Sequence, residues 1–150
     1  MIVGFEIERV EASRFVDVAE VASTAHINVN VDIKLNHARM TRSPLTDTDV
    51  LTADYALVVN YLNPNVGMLR FGGKVHYSGP DAEDAQQQWE RSDDPPRAKL
   101  EMTNGVLAQT APMLMLLTQQ MALPSPVPIP MLGTRPPPRT PQPGESPYHG

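Results

Sequence analysis

Hydrophobic and polar residues alternate most regularly between Ile27 and Leu35. Every second position there is apolar, and the residues between them are polar. A helix would scatter these apolar side chains around all of its sides, whereas a strand places them on one face. The segment is therefore predicted to be a β-strand with one buried face.

Three further segments carry strand signals. Apolar residues alternate with glutamates near the N-terminus, which predicts a first strand over residues 2–11. The run 53–62 is rich in strand-forming residues and is followed by a turn sequence and a second run at 66–77. We expect these two runs to form an antiparallel hairpin, with Gly72-Gly73 marking a bulge or the close approach of another backbone.

Beyond residue 80 the apolar spacing becomes helical. A polar helix is expected from Asp81 to Glu90, with Trp89 anchoring it to the sheet. A second helical stretch follows, but Pro112 interrupts it, and proline inside a helix costs about 3 kcal/mol. We therefore predict two helices, at 98–108 and 111–123, with Pro112 in the first turn of the second.

The order of the elements is strands first and helices afterwards. This order predicts an α+β fold, in which helices pack on one face of a four-stranded antiparallel sheet. Ten of the sixteen prolines lie in the final 28 residues, which excludes helix and central strand there. We expect one domain over 1–132, with the proline-alternating strip 123–132 packed on it, and a disordered proline-rich tail over 133–150.

Composition and charge exclude several classes of function. The chain has no cysteine, so disulfides, thiolate metal sites and thiol nucleophiles are absent. A net charge of −5 with scattered basic residues argues against nucleic acid as a partner. No stretch approaches the roughly 20 apolar residues of a membrane span, and acidic residues stand where a signal peptide would carry lysine. We expect a cytoplasmic protein that is not inserted in a membrane.

Candidate chemistry is sparse. The four histidines lack partners at the spacing of metal ligands or of a general base and its partner. Asp47 and Asp49 resemble part of a calcium loop but lack its glycine and its final glutamate. We therefore expect no catalytic site, metal site or cofactor, and no enzyme activity. The expected function is binding of other polypeptides.

Three features of the sequence carry a family resemblance. They are the opening Phe5-x-Ile7-x-Arg9 strand, the strand pair 53–62 and 66–77 leading to an acidic helix with Trp89, and the block from Asn104 through Ala111-Pro112-Met113-Leu114 to the alternating prolines at 124–130. Over roughly 1–132 the chain resembles the SecB-type export chaperones and, more closely, the SecB-like proteins of archaea.

The resemblance implies a sheet with crossed connectivity, a homodimer or tetramer, and binding of non-native polypeptides in long apolar grooves, as in protein export. One departure concerns the C-terminus. That of the bacterial chaperone is acidic and contacts the export ATPase, whereas the tail here has two arginines and one glutamate. This difference argues against docking to that motor. The alternative to a general chaperone is a dedicated adaptor that keeps the fold and recognises a single folded partner.

Methionines are concentrated near the predicted last helix. Their flexible thioethers suit a surface that accepts varied apolar side chains, but they also fill cores. Core packing is the stronger interpretation for Met113 and Met121, whereas for Met115 the two interpretations are balanced. We expect a polypeptide-binding seam between the sheet, the 111–123 helix and the proline strip, formed by Tyr61, Met68, Met115, Met121, Leu123, Val127 and Ile129.

Overall fold

The computed structural model describes residues 1–24, 26–62, 64–91 and 93–126. In chain order the elements are β1 (Ile2–Arg14), α1 (Val18–Ser23), β2 (Asn28–Arg42), β3 (Asp49–Leu62), β4 (Gly67–Tyr77), α2 (Ala82–Gln88) and α3 (Arg97–Gln120). The predicted strip beyond Pro126 and the predicted tail 133–150 lie outside the described residues.

The four strands form one antiparallel sheet in the order β1-β4-β3-β2. Strands β3 and β4 form the predicted hairpin in the middle of the sheet. The connection from β1 to β2, which contains α1, crosses from one edge of the sheet to the other. These observations confirm the α+β fold class, with its four-stranded antiparallel sheet and helices on one face.

The core lies between the sheet and α3. Alternate side chains of β3 and β4, among them Leu57 and Phe71, are fully buried on the helix side. Met102 and Val106 of α3 pack against them and are also fully buried. Each such side chain contributes about 1.5–3 kcal/mol through removal from water. Trp89 is 6% exposed and belongs to the same core, which confirms that it anchors the end of α2.

Strand β2 is longer than the alternation in the sequence predicts. The alternation ends at Leu35, but the strand continues to Arg42 after an irregularity of register between Asn36 and Arg39. His37 lies in this irregularity with φ 55°. A bulge shifts the period-2 pattern by one residue, so the second half of the strand is out of phase with the first. The first strand likewise extends past its predicted end at Glu11, to Arg14.

The prediction of two helices separated at Pro112 is wrong, because α3 continues through this residue. Proline removes the hydrogen bond to the carbonyl of Ala108, four residues earlier. Both Pro112 and Ala108 lie on the exposed side of the helix, so water can solvate that carbonyl. The short helix α1 was not predicted at all.

The last helix also ends earlier than predicted, at Gln120 instead of residue 123. Ala122 adopts φ 55°, and the N–H of Leu123 donates to the carbonyl of Thr118 over 2.9 Å. The N–H of Ala122 donates to the carbonyl of Gln119 over 3.3 Å. These two bonds form a Schellman motif, which usually has glycine at the left-handed position. Alanine stands there instead, so the usual sequence signal for this helix end is missing.

Of the two alternatives predicted at Gly72-Gly73, the close approach of another backbone is confirmed, whereas the bulge itself lies opposite them, in β1 at Glu8. The register of β1 against β4 shifts between Ile7 and Arg9, opposite these two glycines. A Cβ at Gly73 would collide with the carbonyl group of Glu6. The glycine is needed because the backbone of β1 approaches that of β4 too closely for any side chain.

Candidate polypeptide-binding groove

A groove runs between the edge strand β2 and the helices α2 and α3. It consists of three cavities of about 380, 660 and 310 Å³, which adjoin because neighbouring cavities share lining residues. We call this feature the β2 groove. Ile33, Leu35, Pro95 and Leu100 contribute apolar surface to the first cavity, and His37, Trp89 and Glu90 line the other two.

The apolar face of β2 is only partly covered by the helices. Val29, Val31 and Ile33 are half-buried, and only Leu35 is fully enclosed among the alternating residues. In the central strand β3, by contrast, Leu57 and Val59 have no exposed surface. The groove therefore exists because the edge strand extends beyond the helix layer.

The outer edge of β2 carries backbone N–H and C=O groups that pair with no other strand in the described part of the chain. Free groups of this kind are a template for pairing with a further extended chain. A polypeptide segment added here would hydrogen bond to the edge, and its alternate side chains would face the groove.

The connection between α2 and α3 positions the other wall. Pro96 precedes the first helical residue of α3 in an extended conformation, which its ring favours. The first turns of α3 then place Ala98 and Met102 in the core, while Lys99, Leu100 and Thr103 line the groove. The hydroxyl of Thr103 donates to the carbonyl of Lys99 over 2.8 Å and so is satisfied within the helix.

Trp89 and Lys99 form the middle of the groove. The ammonium of Lys99 lies 5.1 Å from the centre of the indole ring, a cation–π contact. The indole N–H of Trp89 is buried and has no hydrogen-bond partner among the described residues. A buried unpaired donor costs about 1–3 kcal/mol of folding stability.

The binding residues expected from the sequence do not form one surface. Tyr61 is fully buried and Leu123 is 7% exposed, with its side chain packed on Gly67. Met121 packs on the same core, in line with the core interpretation, whereas Met115 is 51% exposed on α3.

Met68 lies on the opposite face of the sheet from the helices, since it alternates with the buried Leu69. Val127 and Ile129 lie outside the described residues. A role of any of these residues in polypeptide binding stays a prediction. The sequence did not indicate the groove-lining residues of β2, α2 and α3 as a binding surface. Their one local signal is the long alternating pattern at 27–35, which predicts a strand with one apolar face.

Among the residues that the structure describes, no group of three or more histidine, aspartate or glutamate side chains is placed to hold a metal ion. None of the described helices is long and apolar enough to cross a membrane.

Comparisons with known proteins show a distant similarity to a solved structure. No family model and no curated protein matches the chain. The chain is similar to a SecB-like chaperone. This solved structure is Rv1957 of Mycobacterium tuberculosis in complex with a ChAD peptide from the Rv1956 HigA1 antitoxin, with 16% identity and a TM-score of 0.48. The match covers 88% of this chain and 86% of that chain.

The strand order and the placement of the helices establish the fold class independently of this distant similarity. The match does not bear on the predicted closer likeness to archaeal proteins.

Proposed function

We propose that this protein binds extended, non-native polypeptide segments in the β2 groove and acts as a chaperone-like holdase in the cytoplasm. The observation that carries the proposal is the continuity of a partly apolar groove with a free strand edge. The edge supplies hydrogen bonds that do not depend on client sequence, and the groove accepts apolar side chains. The sequence resemblance to SecB-type chaperones supports the same function.

The proposal is tested with a reduced, unfolded model client whose aggregation is followed by light scattering. A molar excess of the wild-type protein should slow aggregation, with client affinity in the range of about 1–10 μM. Equal aggregation with and without the protein would refute the proposal. Capture of one folded partner in a fixed ratio, without binding to unfolded clients, would instead identify a dedicated adaptor.

The position of the groove is tested by two matched substitutions on α3. Leu100→Glu replaces apolar surface of the cavity by a hydrated carboxylate and should weaken client binding by about tenfold or more, because an apolar client side chain would have to remove water from that carboxylate. Met115→Glu makes the same charge change at an exposed position outside the groove and should leave binding unchanged. Loss of binding only in Met115→Glu would locate the site at the seam expected from the sequence.

We also propose that the chain forms homodimers or tetramers. The opposite edge strand, β1, has unpaired backbone groups on its outer side in the described part of the chain. Ile7 and Val10 of β1 are 37% and 43% exposed, and Leu116 of α3 is 57% exposed. Pairing of two β1 edges would satisfy the backbone and cover part of this apolar surface. Light scattering coupled to size exclusion measures the mass, and a monomer at micromolar concentration would contradict the proposal.

A further inference from the structure

The β2 groove is mainly apolar in one part and mainly polar in the next, and Lys99 lies at the boundary between the two parts. On one side lies the cavity with Ile33, Leu35 and Leu100. On the other lies the cavity with Trp89 and Glu90. Lys99 lines both cavities. A segment lying along the groove therefore passes the Lys99 ammonium directly after it leaves the apolar part.

The apolar cavity has a positive electrostatic character. Its described lining residues include Lys99 but no aspartate or glutamate; Lys34 also belongs to the lining, but it alternates with Ile33 and Leu35, so its side chain points to the opposite face of the sheet. Lys99 is in the first turn of α3, which contains no acidic residue, although helix N-termini favour acids there. The helix dipole therefore adds to the charge of Lys99 instead of opposing it.

The acidic residues near this region do not line the apolar cavity. Asp93 and Asp94 precede Pro95, are exposed and line none of the three cavities. Glu90 lines only the two cavities beyond Lys99. The net charge of −5 acts over longer distances, which salt screens beyond about 8–10 Å. Among the residues that line the apolar cavity, Lys99 is the one whose charged group lies on the helix side of β2.

We propose that the groove prefers segments in which an apolar side chain is next to an acidic residue, and that Lys99 determines this preference. The inference rests on the proposed function and specifies its clients. The apolar side chain occupies the cavity of Ile33, Leu35 and Leu100, and the neighbouring carboxylate pairs with the ammonium of Lys99 in place of, or beside, the indole ring.

The test uses three extended peptides that are identical except for one residue next to a central apolar pair, which is Asp, Asn or Lys. Calorimetry measures the affinities, and the emission of Trp89, the only tryptophan of the chain, reports on the groove. The Asp peptide should bind about threefold more tightly than the Asn peptide and about tenfold more tightly than the Lys peptide. Added salt should reduce these ratios.

Three variants assign the preference to Lys99. Lys99→Met keeps the aliphatic stem and should remove the preference while it retains binding. Lys99→Glu should reverse the order of the three peptides. Lys74→Glu makes the same charge change on the other face of the sheet, where Lys74 pairs with Glu8 over 3.1 Å, and should keep the order.

The possible failures are distinguishable. If none of the three peptides binds and aggregation of a client is not slowed, the proposed function itself fails. If all three bind equally, or if Lys99→Met keeps the preference, the groove binds polypeptide but the inference is overturned. If Lys99→Glu does not fold, as judged by circular dichroism, Lys99→Met decides the question alone.

Discussion

Gly72 and Gly73 are neighbours in β4, yet their surroundings differ greatly. A Cβ at Gly73 would meet the backbone of Glu6, which cannot move without disturbing the pairing of β1. A Cβ at Gly72 would lie 3.6 Å from the Cβ of Arg9, which is ordinary contact. Gly73→Ala should lower the free energy of unfolding by about 2–3 kcal/mol, and Gly72→Ala by less than about 0.5 kcal/mol.

Urea denaturation followed by the emission of Trp89 measures both variants. Equal effects of the two substitutions would contradict the close approach of β1 at Gly73. The sequence predicted the special role of the pair, but it could not show which glycine faces the neighbouring backbone, because that depends on the register of β1 against β4.

Three buried tyrosines, Tyr55, Tyr61 and Tyr77, have a pKa raised to about 12, so the free energy of unfolding depends on pH in the alkaline range. Burial raises the pKa of Tyr61 to about 12. Burial, together with the charge of Glu8, raises the pKa of Tyr55 to about 12. In the unfolded chain tyrosine ionises near pH ~10. The folded state thus holds these protons more tightly, so its stability is fully present below pH ~10 and is lost as the pH rises through about 12.

The free energy of unfolding should therefore fall between about pH 8 and about pH 11.5. Tyr61→Phe should reduce this fall and, at neutral pH, leave stability unchanged or raise it by about 1 kcal/mol, because the hydroxyl has no partner among the described residues. Stability that does not change over this pH range would contradict the burial of these tyrosine rings. The sequence placed Tyr61 on a strand but assigned it to a binding surface, since alternation alone does not show how deeply a central strand is covered.

At the scale of the element, substitution of Pro112 tests whether α3 is one continuous helix. Proline in a helix interior is about 3 kcal/mol less favourable than alanine, partly offset by its lower entropy in the unfolded chain. Pro112→Ala should therefore raise the free energy of unfolding by about 1–2 kcal/mol. Gln109→Ala, at an exposed position one turn earlier, should change it by less than about 0.5 kcal/mol.

If Pro112→Ala instead lowered stability, Pro112 would be starting a new helix, as the sequence suggested, and the continuous helix would be wrong. The penalty of an interior proline was known from the sequence. What the sequence did not show is that Ala108 and Pro112 both face water, so that the lost hydrogen bond is replaced by solvent. Strand positions were easier to predict, because alternation over eight or more residues fits no helix.

At the scale of the whole molecule, the alternating strands and the helical spacing suffice to predict an antiparallel sheet with one covered face. They do not give the order of the strands, which follows from the crossing of the β1–β2 connection over the sheet. The groove depends on this order, because it makes β2 an edge.

The walls of the β2 groove are formed by residues near positions 33, 89 and 99, which are distant from one another in sequence. No local pattern could have brought these segments together. The prediction from the sequence relied on the concentrated methionines and expected a binding surface at the C-terminal half of α3, whereas the proposed groove involves the first turns of that helix.

Hydrogen–deuterium exchange with a saturating unfolded client tests most directly whether the β2 groove binds polypeptide. The account predicts that the client slows amide exchange in β2 at residues 28–36 and in α3 at residues 97–103, since a chain paired to the edge protects both walls of the groove. Exchange at residues 111–121 should stay the same. Protection confined to residues 111–121, or absent from β2, would contradict it.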